Sequence, residues 1–431
     1  MNPTIAIAIL VLLAATALIV RGVEVRLVLL AASVPLFALT GGMVPMLDKV
    51  VAEMANAATV VPICSALGFA HVLKLTGCDQ QLVRLLLKPL RRVRWLLVPG
   101  GIAAGYVINS TIVSQTGTAA VLGPILVPLL LASGLGPEVA GAVLLLGSSM
   151  GGELFNPGAV EMRKLAELTG LSGHEAVLRS ARLNLLACGS ALLAFWLSAP
   201  RRDAAQDEAE GRTIADVPEE RVNLLKAVVP VVPLLILFAD PLLAGYSPIH
   251  DFRDPARILA AMLIGIVLAG LTSPRAIRRF GTAFFDGAGY AYTHVISLIV
   301  AASTFAEGIR LSGLIGLIIR GLVGSPGLTI AVAAVAPWAL AVASGTGIAP
   351  AVSVMEFFVP VSSSMGIDPV RLGTLASLGA HFGRTMSPAA AVVAMCATLS
   401  GASASRMIRL VAGPLAAGGL IMIAAALLKV A

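Results

Sequence analysis

The sequence predicts an all-α protein that crosses a membrane many times. It is built from two repeats of inverted topology, each with a re-entrant hairpin and a discontinuous helix. Three observations predict this fold: apolar runs of spanning length along the whole chain, an internal repeat at near-constant displacement, and polar breaks at matching places inside apolar segments.

Hydrophobic residues fill 58% of the 431 positions and charged residues only 12%, with a mean hydropathy of +0.95. A soluble domain carries about a quarter of its residues as charges. Apolar runs at 3–20, 27–44, 183–200, 258–272 and 410–430 come close to the length a helix needs to cross a lipid bilayer. The first run is read as a membrane helix and not a secretory leader, because it lacks a basic start and a small-residue cleavage site. The formal net charge of +7 resides in short loops between apolar runs, a topology signal that excludes nucleic acid as the partner. Cys64, Cys78, Cys188 and Cys396 form no CxxC pair and no metal spacing, so they read as small buried apolar groups, and no cofactor is expected.

A charge-mixed run, RRDAAQDEAEGR at 201–212, lies near the midpoint. Residues 200–222 read as a cytoplasmic linker between an N-terminal repeat at 1–199 and a C-terminal repeat at 223–431. VPLLLASGLGPEVAGAVLLLGSSMG at 127–151 aligns without a gap on VPVSSSMGIDPVRLGTLASLGAHFG at 359–383, displaced by 232 positions. Eight of the 25 pairs are identical and six of those are Gly or Pro, residues that shape backbone, which chance in a Gly- and Leu-rich chain does not concentrate. Upstream, SQTGTA at 114–119 faces SGTGIA at 344–349, displaced by 230. With the linker inside, 18 basic residues fall on the cytoplasmic side and 11 outside, which orients the first half opposite to the second. Inverted repeats of this kind provide alternating access in secondary transporters.

Each half holds two features that ordinary spanning helices avoid. The first is an apolar segment broken by small polar residues, at SQTGTA between 96–113 and 121–132, and at SGTGIAP between 328–343 and 352–361. These read as hairpins that turn back inside the membrane, where non-helical backbone survives only beside protein or a water-filled cavity. The second is a helix interrupted by GSSMGGELFNPG at 147–158 and by GAHFGRTMSPA at 379–389. Proline removes a donor and blocks the preceding turn, so upstream carbonyls are freed for a cation while half-helix N-termini face an anion. Ser, Thr and Gly also serve helix packing in membranes; two related copies, each followed by a Pro-broken helix, favour a site.

The tips Ser114, Gln115, Thr116 and Gly117, with Ser344, Gly345, Thr346 and Gly347, are the expected substrate clasp, through hydroxyls and backbone N–H groups. Arg384, with Thr385 beside it, is expected to take a carboxylate, since an arginine at the bilayer centre costs roughly 2.5–3.5 kcal/mol and must line a cavity or have a partner. The bland reading of Arg384 is a structural pair with Glu153 or Glu356. Ser148, Ser149, Glu153, Asn156, Pro157, His381, Ser387 and Pro388 are the coupling-ion candidates, with sodium and proton both open, and His294 is assigned to packing. Nothing resembles an HExxH metal motif or a His pair at ligand spacing, so an intramembrane hydrolase is disfavoured, and paired hairpins with broken helices fit alternating access better than a channel.

At these residues the chain resembles the DcuC family of anaerobic four-carbon dicarboxylate carriers. The resemblance is carried by FAEG at 305–308, ASGTGIAPAVSVMEFFVP at 343–360 and GAHFGRTMSPAAAVVA at 379–394, and extends in order and spacing over nearly the whole chain. It implies a secondary transporter of the bacterial inner membrane, not an enzyme, that moves small dicarboxylates such as succinate, fumarate or malate by uptake, exchange or efflux. The rival cargoes are another organic anion, an amino acid or a peptide-like compound. The resemblance further implies the elevator-type fold of the ion transporter superfamily: scaffold helices at about 1–75 and 223–305, transport parts at about 96–170 and 327–400, and a homodimer.

Overall fold

The computed structural model describes residues 3–21, 23–92, 94–200, 221–239, 252–314, 317 and 325–430, and all regular structure among them is helical. Most of the expected linker, 201–220, lies outside the described residues. Eight helices among those described are long and apolar enough to cross a membrane, among them Ala57–Thr76, Gly173–Ser198 and Ala404–Leu427. The apolar N-terminal run forms a helix at Pro3–Val20, the bounds its composition marks out.

The first hairpin runs up Leu97–Ile112, turns at Val113 and Ser114, and returns as Gln115–Ala132. The turn is shorter than the six-residue break expected from SQTGTA, because Ser114 caps the return helix at once: its Oγ accepts the Gly117 N–H at 3.2 Å. The return arm therefore reaches 18 residues, long enough to span, where a shorter arm was expected. The second hairpin rises as Pro326–Ser344, turns through residues 345–347 and returns as Ile348–Phe358.

The first broken helix is Pro137–Ser149, a 3-10 turn at Gly152–Phe155, and Val160–Thr169. The second is Pro369–Thr385 followed by Ala391–Ser400. Both breaks begin later than expected. Ser148 and Ser149 are still helical, and so are His381, Arg384 and Thr385. No proline stands between Gly379 and Thr385; Pro388 removes one donor and its ring clashes with the carbonyl four residues back, at Arg384, so the helix persists to Thr385 and stops in the turn before the proline. His381 and Arg384 are thus held on the last turns of a rigid helix and not on a loose loop.

Glycine sets how closely hairpins and broken helices approach. A Cβ on Gly379 would sit 2.2 Å from the Ala334 carbonyl oxygen, and one on Gly147 would sit 3.1 Å from that of Ile102. Ile102 and Ala334 stand the same 232 positions apart as the two glycines. The matched residues therefore do matched packing work. Apolar side chains gather in one large cluster drawn from 70–199 and 330–426, and in two smaller ones that join the N-terminal helices to 291–314 and 66–78 to 229–269.

Candidate functional site

The first tip, the first break and the second tip meet at one cavity of about 150 Å³. Ser114, Gln115 and Thr116 line it from the first tip, Thr346 from the second, and Glu153 and Glu161 from the first broken helix, while Tyr290 and His294 form the far wall. His294, assigned to packing from the sequence, instead faces this cavity, stacked on Tyr290 at a ring separation of 4.2 Å beside a single π-turn at Tyr292–Ile296. Such π-bulges recur at functional sites.

The structure places Ser344 apart from this cavity. Its hydroxyl donates to the Leu340 carbonyl at 2.7 Å, and it lines a separate apolar cavity with Leu340 and Phe357. The left-handed residues that end the two rising arms are Val113 and Gly345, which puts the tips in register at a displacement of 232, not 230. Ser114 then matches Thr346, and that pair shares the cavity. Gly345 presses on the second break, where a Cβ would meet the Ala389 carbonyl carbon at 2.8 Å, and Gly347 lies against Arg384, whose Nη1 would be 3.0 Å from a Cβ.

Arg384 is 4% exposed and already paired. Its Nη2 donates to the Ser149 carbonyl at 3.1 Å and to Glu153 Oε1 at 3.2 Å, while its Nε meets no acceptor among the described residues. The structural pair considered for Arg384 is therefore made with Glu153. Glu356 instead binds Lys164 and accepts from Ser303 Oγ at 2.7 Å. Lys164, which the sequence reading did not single out, is 1% exposed within a helix.

Glu153 is the hub. Its Oε1 lies 2.5 Å from His381 Nε2, its Oε2 accepts from the Gln115 amide, and its backbone N–H donates to Asn109 Oδ1 at 2.9 Å. His381 Nδ1 lies 2.7 Å from the Ser377 carbonyl. Glu161, which the sequence reading did not single out, lies with Oε1 4.0 Å from His381 Nε2 and accepts no hydrogen bond there from the described residues. Thr385 Oγ1 pairs with Ser149 Oγ at 2.8 Å and donates to the His381 carbonyl at 2.7 Å.

Five other candidates are committed to the breaks or buried without a partner among the described residues. Asn156 donates to the Ser110 carbonyl at 2.8 Å and accepts the Gly158 N–H at 2.8 Å, so its amide closes the first break. Ser387 Oγ accepts the Ala389 N–H at 3.3 Å in the second break. Pro157 and Pro388 interrupt the helices, Pro388 from an exposed position, and Ser148 Oγ is buried without a hydrogen-bond partner among the described residues.

Glu153, Glu161 and His381 each bring one ligand atom within 4.8 Å of the others. They do not make a metal cradle: His381 Nε2 and Glu153 Oε1 are spent on each other at 2.5 Å, and the Arg384 cation stands 3.2 Å from the same oxygen. The run GSSMG at 147–151 does carry the letters of a serine-hydrolase elbow. That elbow needs a strand-to-helix turn, whereas Ser149 ends a helix with its hydroxyl on Thr385.

Helices of spanning length around a cavity that both tips enter fit a multi-pass membrane transporter. The chain belongs to the DcuC family, described as C4-dicarboxylate anaerobic carriers, which it matches over residues 5–431. A putative uncharacterized transporter of Haemophilus influenzae is 28% identical over 59% of this chain and 94% of its own length. The anaerobic C4-dicarboxylate transporter DcuC of Escherichia coli K12 is 24% identical over 84% of this chain and 79% of that protein. Among solved structures, Neisseria gonorrhoeae MtrF, of a class of antimetabolite efflux pumps, superposes with a TM-score of 0.62 at 14% identity over 89% of this chain and 83% of its own. The Alcanivorax borkumensis YdaH transporter does so with a TM-score of 0.62 at 15% identity, over 95% and 98%. These two likenesses are of fold.

Proposed function

We propose that the protein is a secondary active transporter of small dicarboxylates such as succinate, fumarate or malate. The observation that carries this reading is the convergence of two tips, 232 positions apart in sequence, on one polar cavity with a buried arginine behind it. Ser114, Gln115, Thr116 and Thr346 supply polar contacts, Gly117, Gly345 and Gly347 shape the turns, and Arg384 takes one carboxylate. The helix beginning at Gln115 turns its N-terminal N–H groups and positive dipole end toward the anion. The matched glycine contacts support two related repeats, and the division of apolar clusters supports separate scaffold and transport parts; elevator motion within a homodimer is what the family resemblance implies.

Uptake of labelled succinate into proteoliposomes tests the reading. Arg384→Gln abolishes uptake while the protein stays folded; uptake at unchanged affinity refutes the role. A second reading, a zwitterionic amino acid, is favoured by one observation: the carboxylates of Glu153 and Glu161 line the cavity. Competition by succinate and fumarate, but not by neutral amino acids, separates the two.

A further inference from the structure

We propose that Glu153 and a substrate carboxylate compete for the guanidinium of Arg384, and that a proton taken up by the Glu153–His381–Glu161 cluster decides the competition. This rests on the reading that a small carboxylate binds in the cavity.

Hydrogen-bond bookkeeping places the first proton. A carbonyl only accepts, so His381 Nδ1, 2.7 Å from the Ser377 oxygen, carries a hydrogen. Nε2 then faces Glu153 Oε1 at 2.5 Å, a separation at which two lone pairs repel. A proton lies between them. With it the cluster is neutral: Arg384 and that proton balance Glu153 and Glu161.

The substrate carboxylate that reaches Arg384 adds one negative charge beside Glu153 and Glu161, while the other carboxylate of a dicarboxylate faces the N-terminal N–H groups of the helix beginning at Gln115. The second proton that restores balance has a place to go. Glu161 is 2% exposed, and its Oε1 meets no donor among the described residues while lying 4.0 Å from His381 Nε2. An acceptor oxygen buried without a donor is costly, so this oxygen is the open place for a proton. Relayed from Glu161 through His381 Nε2, that proton neutralises Glu153, which then holds Arg384 less tightly. Arg384 still has its Nε unspent and its Nη1 side against Gly347 at the second tip, so the fork can turn to the substrate. The O–H bond formed on arrival breaks on the side where the substrate leaves, and one proton crosses with each carboxylate that displaces Glu153.

The cations on the helix of Glu161 are spent elsewhere, Lys164 on Glu356, Glu167 and Glu53 and Arg163 Nε on the Ala58 carbonyl, so neither replaces the proton. Gln115 and Asn109 hold Glu153 from the first hairpin, and Thr385 caps His381 from its own helix. Tyr290 and His294, across the cavity, are the remaining titratable groups that line it among the described residues.

Calorimetry of succinate binding to the full chain in detergent, in buffers of different ionisation enthalpy, tests this. The wild type takes up about one proton per substrate, and its affinity falls up to about tenfold per pH unit as pH rises. Glu161→Gln binds succinate without proton uptake and with flat pH dependence. Glu153→Gln binds about tenfold or more tightly at neutral pH, because Arg384 is uncovered. Wild-type binding without proton uptake overturns the inference even if neither variant folds, and so does a Glu161→Gln protein that keeps wild-type proton uptake. Failure of the wild type to bind succinate, fumarate or malate at any pH overturns the substrate reading and, with it, this inference.

Discussion

Val113 and Gly345 stand 232 positions apart and share one backbone conformation: both are left-handed, at φ 53° and φ 72°, and both end the rising arm of a hairpin. Only one of them is glycine. A β-branched residue in this region costs roughly 1–2 kcal/mol, so the first tip holds strain that the second does not. Val113→Gly is expected to stabilise the protein by about 1 kcal/mol in thermal unfolding, set by the same left-handed penalty. Gly345→Val is expected to destabilise it by more than ~2 kcal/mol, because its Cβ would also meet the Ala389 carbonyl carbon at 2.8 Å. Equal and opposite shifts would disprove the asymmetry.

Substrate protection follows from which tip residues share the cavity. Cysteines at Ser114 and Thr346 should be shielded by succinate from a water-soluble thiol reagent, several-fold in rate. A cysteine at Ser344 should not be, since Ser344 lines a separate apolar cavity. Protection of all three positions alike would restore the register of 230.

Lys164 ties three carboxylates together. Besides Glu356 it reaches Glu167 Oε1 at 3.4 Å and Glu53 Oε1 at 3.9 Å, and Lys49 Nζ supports Glu53 at 2.7 Å. Lys164→Met leaves buried carboxylates without their cation and should cost about 3–5 kcal/mol in unfolding measurements. The double change Lys164→Met with Glu356→Gln should recover part of that loss. A double variant as unstable as the sum of the singles would show that the pair is not coupled.

Arg384→Lys is not conservative here. One nitrogen of the fork serves the Ser149 carbonyl and Glu153 together, and the planar group packs on Gly347. Uptake by Arg384→Lys should fall at least about tenfold, as expected when a bidentate fork becomes a point charge. Wild-type rates would mean that charge alone suffices.

The breaks, the tips and the buried ionisable groups were legible because each violates a local rule. Pro157 and Pro388 interrupt apolar helices, and Arg384, His381 and Glu153 are ionisable where the neighbouring chain is apolar. Where the breaks begin was less legible, since a helix persists up to the last residue that a downstream proline permits, as at Thr385. Glu161 and Lys164 were hidden for a different reason. They sit in VEMRKLAELT, a mixed-charge stretch that reads as a solvated face, yet both are buried by residues far along the chain. Their spacing of three residues on one helical turn, just after a break, was the available signal.

By itself the sequence determined the membrane class, the internal repeat and the places where helices break, because hydrophobic length and the stereochemistry of proline and glycine act on neighbours in the chain. Only the tertiary structure decided that Arg384 rests on Glu153, that Glu161 joins His381, and that Thr346 rather than Ser344 answers Ser114. Charge pairing and cavity lining act through space, and the partners in these contacts are more than 200 positions apart.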